Sequence, residues 1–207
     1  MVQAICKNPQ ISCVGVYDKN IDILMEKPDV IVDFSHPDFL NHAINKALQF
    51  NVPLVCGTTG LDEEKMALLK ESSKKIPIVY SENFSEGIAL LTKIFTDYID
   101  KLKSYDKLIL DYHHKEKRDA PSGTAIHLQE ALKDASIASF RIGNIKGIHE
   151  IIFSNNDELI TIKHEAFSRN VFALGVIKAI EFALQKNNGY YSFEDIIDEI
   201  KWNKSLC

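Results

Sequence analysis

The chain has 207 residues, of which 45% are hydrophobic and 26% are charged, and 24 Lys and Arg against 29 Asp and Glu give a formal net charge of −5. This length supports one large domain or two small ones with a buried core. The apolar fraction excludes a disordered or fibrous chain. The mild acidity argues against a general nucleic-acid binder, which usually carries a basic excess.

The cysteines are far apart in the sequence and form no CxxC pair; they are Cys6, Cys13, Cys56 and Cys207. This spacing fits neither a zinc site nor a disulfide framework, and it favours free thiols in a reducing compartment. No apolar run reaches the length of a membrane span, and the start of the chain lacks the pattern of a secretory signal. We therefore expect a soluble cytoplasmic protein.

The first half of the chain alternates short β-branched runs with amphipathic segments. The predicted strands are 11–17, 30–34, 53–56 and 76–80, and the predicted helices are 37–50 and 62–74. The second of these helices opens on acids and closes on lysines, an order that suits the helix dipole. Strands that alternate with helices in this way indicate a parallel α/β sheet.

The second half has a different order of elements, which predicts a second module that begins near Phe84. Helices are predicted at 85–103, 122–133 and 169–185, and strands at 107–112, 139–142, 149–153 and 159–164. The last two strands are joined by Asn155-Asn156-Asp157, a hairpin-type connection. A final helix opens on the capping-box pattern of Ser192. We expect a mixed or antiparallel sheet in this module, with its helices to one side.

Asp18 directly follows the first predicted strand. In a dinucleotide-binding unit, an acid at the end of the second strand binds the adenosine ribose, about 20 residues after a glycine-rich turn. An ordinary turn residue is the alternative, and for an isolated acid it is the stronger one.

The other predicted strands also end in polar residues, namely Ser35-His36-Pro37, Gly57-Thr58-Thr59-Gly60 and Ser81-Glu82-Asn83-Phe84. Ligands of open parallel sheets bind outside the carboxyl ends of the strands. The glycines of the second tip permit close backbone approach, and its two hydroxyls suit a nicotinamide carboxamide or a ribose. A short GTTG segment is only weakly specific, because Gly and Thr are common in turns. The three tips together favour a cofactor site.

The strongest motif runs from Asp111 to Ala125, through a charged loop into a helix. Ser122 is the expected N-cap, and the free N–H groups of the helix start form an anion site. The loop adds positive charge from Lys115, Lys117 and Arg118. The expected ligand is a small anion, such as a carboxylate or a phosphate.

Two adjacent histidines, His113 and His114, stand beside this anion site. Imidazole exchanges protons near neutral pH, which suits acid–base work. Metal binding is the first alternative, but adjacent residues of an extended segment point to opposite faces and no third ligand has suggestive spacing, so we expect no metal. A solvated charged loop is the second alternative.

The segment HHKEKRDAPSGTA at 113–125 resembles the signature of the 4-hydroxy-tetrahydrodipicolinate reductase (dihydrodipicolinate reductase) family, His-His-x-x-Lys-x-Asp-Ala-Pro-Ser-Gly-Thr-Ala. The resemblance extends to VDFSHP, VCGTTGL, SENFSEG and HEAFSRNVFALG. It implies NAD(P)H-dependent reduction of 4-hydroxy-tetrahydrodipicolinate in the diaminopimelate route to lysine. A cofactor-deficient fragment or pseudoenzyme that still binds a small dicarboxylate is the alternative.

The resemblance also implies roles for individual residues. His113 and Lys117 would be catalytic, and His114, Gly123 and Thr124 would bind the substrate. The cofactor would contact Asp18, Lys19, Gly57, Thr58, Thr59, Ser81, Glu82, Asn83 and Phe84. Because the acid at 18 is followed by a base at 19, we expect the chain to use either NADH or NADPH.

The fold that the resemblance implies is α/β. Residues 1–84, joined by the C-terminal helix at 192–207, would form a Rossmann-type dinucleotide-binding domain with a parallel sheet. Residues 85–191 would form an α+β substrate-binding domain whose mixed sheet builds a homotetramer. The family's opening strand and glycine-rich loop have no counterpart in this sequence. By the spacing to Asp18, we expect roughly 20 residues to be missing before Met1.

Overall fold

A computed structural model describes residues 5–6, 8–18 and 21–199 of the chain. The described residues form two compact units, one from residues up to Phe84 together with those from Phe172 onward, and the other from Ser85–Val171. No helix within these described ranges is long and apolar enough to cross a membrane.

The first unit is built around a parallel sheet. In chain order it contains β1 (Gly15–Asp18), β2 (Ile21–Leu24), β3 (Ile31–Asp33), α1 (Leu40–Phe50), β4 (Leu54–Cys56), α2 (Glu63–Ser72) and β5 (Pro77–Tyr80). The second unit contains α3 (Glu86–Tyr98), β6 (Asp106–His113), α4 (Gly123–Leu132), β7 (Ser136–Arg141), β8 (Ile148–Ser154) and β9 (Leu159–Glu165). The chain then continues through α5 (Asn170–Leu184), β10 (Gly189–Tyr191) and α6 (Phe193–Glu199).

The parallel sheet has the strand order β10-β5-β4-β3. All three strand pairs are parallel, which confirms the predicted α/β class. Its core includes the fully buried side chains Leu40, Leu54, Leu69 and Ile78 from two helices and two strands. The start of α2 is where it was predicted, since Asp62 Oδ1 caps the helix by accepting a hydrogen bond from Lys65 N at 2.9 Å. The α-helix predicted from 37 begins at Leu40, after a 3₁₀ turn at Pro37–Phe39.

The strand predicted at 11–17 differs from the observed one. Instead of joining the parallel sheet, the shorter β1 pairs antiparallel with β2 in a separate two-stranded sheet. The side chains of Val16 and Ile23 are 42% and 57% exposed, so this ribbon is not the buried strand that its β-branched composition predicted. A neighbouring segment with matching β propensity is closer along the chain than any strand of the sheet, and antiparallel pairing needs only a short connection.

The sequence also did not reveal β10. Its three residues, Gly189–Tyr191, add to the sheet beside β5. Residues 172–191 therefore lie in the first unit, and the chain returns to it at Phe172 instead of at 192 as expected. The capping box that opens α6 has the predicted form, since Ser192 N donates to Asp195 Oδ2 at 2.7 Å and Asp195 N donates to Ser192 Oγ at 3.2 Å.

The second unit has a mixed four-stranded sheet of order β7-β6-β8-β9. The β6–β7 pair is parallel, whereas β6–β8 and β8–β9 are antiparallel. Alternate residues of β6 and β8 are buried, so one face of the sheet is covered and the other is half-exposed. The covered face packs with α3 and α4 around Phe95, Ile109, Leu128 and Phe153.

Candidate active site

The covered face of β6 carries two polar residues at the carboxyl end of the strand. Asp111 is fully buried and His113 is 8% exposed, and both follow Ile109 on the same face at intervals of two residues. Polar groups so deep in a core are costly unless they are hydrogen-bonded. Their partners therefore define the site.

The Asp111 carboxylate accepts hydrogen bonds from four donors. Its Oδ2 accepts from Ser122 N at 3.0 Å, Ser139 Oγ at 3.0 Å and Arg141 Nη2 at 3.2 Å. Its Oδ1 accepts from Ser122 Oγ at 2.9 Å. A carboxylate has about four acceptor positions, so this one is saturated.

Two histidines lie against the same carboxylate oxygen. His113 Nδ1 is 2.8 Å from Asp111 Oδ1, an ion-pair contact without the angle of a directed hydrogen bond. His149 Nε2, on the neighbouring strand β8, is 3.6 Å from that oxygen and 3.3 Å from Ser122 Oγ. The two imidazole rings meet edge to face with centroids 5.4 Å apart.

The pKa values of these groups follow from burial and from the donors around them. Burial raises the pKa of the Asp111 carboxyl, but His113 and the N–H and hydroxyl of Ser122 outweigh this and hold it well below its usual range. Burial lowers the pKa of His149 to about 4. The Asp111 charge opposes that shift, while His113, His164 and Lys117 add to it. Asp111 is thus charged and His149 is neutral at pH 7.

We expect His149 to make the folded chain less stable in acid. Its pKa is about 4 when folded, against 6.5 for the free group, so between these values the unfolded chain binds more protons and the unfolding free energy rises with pH. This group should make the free energy of unfolding in urea about 2 kcal/mol higher at about pH 7 than at about pH 5. His149→Gln should remove that difference, whereas His36→Gln, at an exposed histidine, should leave it unchanged. A pH dependence that persists in full in His149→Gln would assign the effect to other groups.

The start of α4 lies where the sequence predicts an anion site. Ser122 is its N-cap, and Ser122 Oγ accepts from Ala125 N at 3.2 Å. The first turn of a helix offers backbone N–H groups and a positive dipole end, both of which favour an anion. Gly123 and Thr124 are half-buried there. Lys117 in the preceding loop is paired with Asp119 at 2.7 Å, whereas Lys115 and Arg118 are exposed.

The adjacent histidines separate as expected for an extended segment. His113 is the last residue of β6 and is buried, and His114 follows the strand and is half-buried. The structure also supplies a histidine that local spacing did not reveal, since Asp111, His113 and His149 place one ligand atom each within 4.8 Å of one another. Such a group can hold a metal, but the carboxylate is already saturated and the charges of Arg141 and Lys117 nearby favour an anion.

In the first unit, a hydrogen-bond network joins the tips of β3 and β4. Thr58 Oγ1 donates to Asp33 Oδ2 at 2.9 Å and accepts from Ser35 N at 3.0 Å, and Ser35 Oγ donates to Asp33 Oδ1 at 2.5 Å. Thr58 is only 2% exposed. Its hydroxyl therefore forms its hydrogen bonds within the protein, and these bonds fix the shape of the loop.

Gly57 lies under an aromatic ring. A Cβ at this position would be 2.1 Å from Phe34 Cε1, so only glycine fits beneath the ring. The next residues, Thr59 and Gly60, are exposed, and a Cβ at Gly60 would meet nothing within 4 Å. The accessible part of this tip is therefore its second half.

The third tip, after β5, folds back on itself. Ser81 Oγ donates to Asn83 O at 2.7 Å and accepts from Asn83 N at 3.2 Å. Glu82 is exposed. Phe84 is 1% exposed and packs between Phe34 and Phe193, with ring centroids 5.3 Å and 5.2 Å away. Phe84 thus belongs to the core of the unit.

Asp18 stands apart from these tips. It is the last residue of β1, it is exposed, and it lies in the two-stranded sheet instead of the parallel one. An apolar cavity of about 350 Å³ in this unit is lined by residues of both sheets, including Tyr17, Asp33 and Phe34. Lys19 lies outside the described residues.

The two parts of the chain match the two parts of one family. The description "Dihydrodipicolinate reductase, N-terminus" matches residues 2–84, and "Dihydrodipicolinate reductase, C-terminus" matches residues 87–197. The chain belongs to the dihydrodipicolinate reductase family. The resemblance drawn from the motif at 113–125 is confirmed, and with it the oxidoreductase class. Membership of this family implies a nicotinamide cofactor.

Individual relatives agree with this membership. The chain is 46% identical over 183 residues to the 4-hydroxy-tetrahydrodipicolinate reductase of Thermosipho africanus (strain TCF52B), covering 88% of this chain and 84% of that protein. It is 40% identical over 196 residues to the enzyme of that name from Rickettsia rickettsii (strain Sheila Smith), covering 86% and 82%.

A solved structure has the same fold. The dipicolinate-bound dihydrodipicolinate reductase from Paenisporosarcina sp. TG-14 superposes with a TM-score of 0.70 at 25% identity, over 82% of this chain and 74% of that one. The predicted combination of a Rossmann-like parallel sheet and a mixed-sheet unit is thereby confirmed.

Sequence reasoning assigned no role to four residues of the buried cluster, which are Asp111, Ser139, Arg141 and His149. One signal pointed to two of them. In β6 and β8, polar residues occupy positions whose strand alternation otherwise places apolar side chains in the core. Their convergence depends on the pairing of three strands, which no local spacing encodes.

Proposed function

We propose that this chain reduces 4-hydroxy-tetrahydrodipicolinate to tetrahydrodipicolinate with NADH or NADPH, in the diaminopimelate route to lysine. The observation that carries the proposal is the buried contact of His113 with Asp111, whose carboxylate also holds the N-cap of α4. One cluster thus joins a proton-exchanging group to a helix start suited to a carboxylate. Membership of the reductase family and the names of its curated relatives support the same reaction.

The substrate is a cyclic dicarboxylate, and the second unit offers groups of the right charge for it. We assign one carboxylate to the N–H groups at Gly123 and Thr124, with His114 and Lys117 at the same end of β6. Helix N-termini and lysine are both suited to carboxylates. The relative from Paenisporosarcina was solved with dipicolinate, a planar dicarboxylate of the same size class.

We assign the proton to His113, with Lys117 as a second donor. The substrate hydroxyl leaves as water, and the proton that it takes comes from one of these two side chains. Asp111 Oδ1 lies 2.8 Å from His113 Nδ1, so the carboxylate fixes which edge of the imidazole faces it. Acid catalysis by a positioned histidine contributes about 10²–10⁴-fold to a rate.

The first unit fits a nicotinamide cofactor at its strand tips. The accessible backbone at Thr59 and Gly60 permits close approach, and the buried Thr58 hydroxyl stabilises that loop. We assign further contacts to Gly57 and to the turn at 81–84, in which Phe84 contributes packing. Asp18 would bind the ribose, and Lys19 would face the 2′-phosphate of NADPH. A bound NADH or NADPH supplies the hydride.

Fluorescence titration of the whole chain with NADH and NADPH, combined with a turnover assay, tests the proposal. Saturable binding of at least one cofactor and turnover of 4-hydroxy-tetrahydrodipicolinate are the expected results. If dipicolinate binds while neither cofactor does, the chain is a dicarboxylate-binding relative without reductase activity.

We also propose a homotetramer formed through the half-exposed face of the mixed sheet. This face carries stacked rings of Tyr112 and Phe140 with centroids 5.0 Å apart, and Leu159 on it is 61% exposed. Apolar groups gathered on one sheet face are typical of a surface that another subunit covers. Light scattering should give the mass of four chains, and Ile152→Lys, which places a charge on this face, should lower it.

A further inference from the structure

Asp111 contacts two parts of the candidate site that have different proposed roles. They are His113, the proposed proton donor, and the start of α4, which would bind a substrate carboxylate. We infer that Asp111 is a positioning residue that fixes His113 and the first turn of α4 relative to each other. The inference rests on the proposed function, since it assigns the reason why those two parts work together. The orientation of both parts would then depend on one fully buried carboxylate.

The first half of this arrangement is the orientation of His113. Its Nδ1 faces Asp111 Oδ1 at 2.8 Å. Its Nε2 lies on the side of Gly147, where a Cβ would approach that atom to 3.2 Å. With Nδ1 facing the carboxylate, Nε2 is the nitrogen that remains for proton transfer. Gly147 keeps the space next to it open.

The second half is the start of α4. Asp111 accepts from both the backbone N–H and the hydroxyl of Ser122. The same hydroxyl oxygen accepts from Ala125 N. The carboxylate therefore fixes the N-cap, and with it the direction in which the first-turn N–H groups of α4 point.

The neighbouring strands hold the carboxylate itself in place. Ser139 and Arg141 of β7 donate to Oδ2, and His149 of β8 lies 3.6 Å from Oδ1. The charged and titratable groups around Asp111 and His113 are Arg141 from β7, His149 from β8, His164 from β9 and Lys117 from the loop. The Asp119 carboxylate pairs with Lys117, whereas Asp111 is the carboxylate that contacts His113, His149 and Arg141. Loss of its charge therefore removes the partner that these three side chains share.

Asp111→Asn tests the inference, because the amide keeps the shape and removes the charge. We expect kcat to fall by about 10²-fold, the lower end for losing a positioned acid. Dipicolinate affinity should weaken, and NADH affinity should stay nearly unchanged. A purely structural role would lower stability and leave kcat and the dipicolinate affinity of the folded protein unchanged.

Companion variants separate the possible outcomes. His113→Ala is measured in parallel, and Ile126→Ala, on the exposed side of α4, serves as the matched control. If His113→Ala is inactive while Asp111→Asn keeps the wild-type kcat and dipicolinate affinity, the inference is overturned and the proposed function stands. If His113→Ala itself retains wild-type turnover, the proposed proton donor is wrong.

A second variant keeps the test decisive if Asp111→Asn fails to fold. Ser122→Ala removes only the hydroxyl that joins Asp111 to the helix start. We expect it to weaken dipicolinate binding and raise KM while kcat stays nearly unchanged. A lower kcat with unchanged dipicolinate binding in Ser122→Ala would contradict the assignment of the two halves.

Discussion

His113→Ala is expected to lower kcat by about 10²–10⁴-fold, the range for loss of a positioned proton donor. His113 combines a proton-exchanging side chain, burial and the shorter of the two histidine contacts with the Asp111 carboxylate, 2.8 Å against 3.6 Å for His149. Because His113 lies in the unit formed by Ser85–Val171, the strand tips of the other unit keep their structure in the variant. NADH affinity should therefore stay nearly unchanged. Stopped-flow or steady-state turnover, together with NADH fluorescence titration, measures both quantities.

Lys117→Ala tests the second proposed proton donor. Lys117 is paired with Asp119 and is 23% exposed, so it has a weaker structural constraint than His113. We expect its loss to cut turnover steeply as well, and to weaken dipicolinate binding because a positive charge near the helix start is lost. Wild-type turnover in either variant would refute the assignment of that residue.

Gly175→Ala is expected to destabilise the first unit by about 3 kcal/mol or more, at the upper end for overpacking. Gly175 lies inside α5, where alanine would normally be favoured over glycine by about 1 kcal/mol. Here a Cβ would lie 1.8 Å from Phe84 O and 2.9 Å from Phe193 Cζ. Backbone cannot yield as a flexible side chain does, so the steric cost exceeds the gain in helix propensity.

Urea unfolding measures this effect, with Leu174→Ala as the control in the same helix. Leu174 is 60% exposed, so its truncation should change the unfolding free energy little. An unchanged midpoint for Gly175→Ala would mean that α5 shifts away from Phe84 without cost. That result would contradict the close contact of this helix with the chain at Phe84.

The sequence predicted most of the regular elements because their signals are local. Helix caps at Asp62 and Ser122, and the capping box at Ser192, each depend on residues within one turn. The exceptions have physical causes. β1 found a partner next to it along the chain, and β10 is three residues long, too short to show a period.

The motif located the part of the candidate site that lies in the second unit, but it did not reveal which side chains surround Asp111. His113, Lys117 and the start of α4 are adjacent in the sequence, whereas Arg141 and His149 reach Asp111 only through the pairing of β6 with β7 and β8. In the first unit, the sequence indicated which turns meet at the sheet edge. It had no signal for the direction of the side chains, so the burial of Thr58 and Phe84 emerged only from the fold.

The ring of Phe34 over Gly57 has a consequence for how this loop can vary. A side chain at 57 would overlap three atoms of the ring, so the two positions share one fixed volume. A natural variant with alanine or serine at 57 should carry a smaller residue at 34. Substitutions at 34 and 57 are therefore expected to occur together.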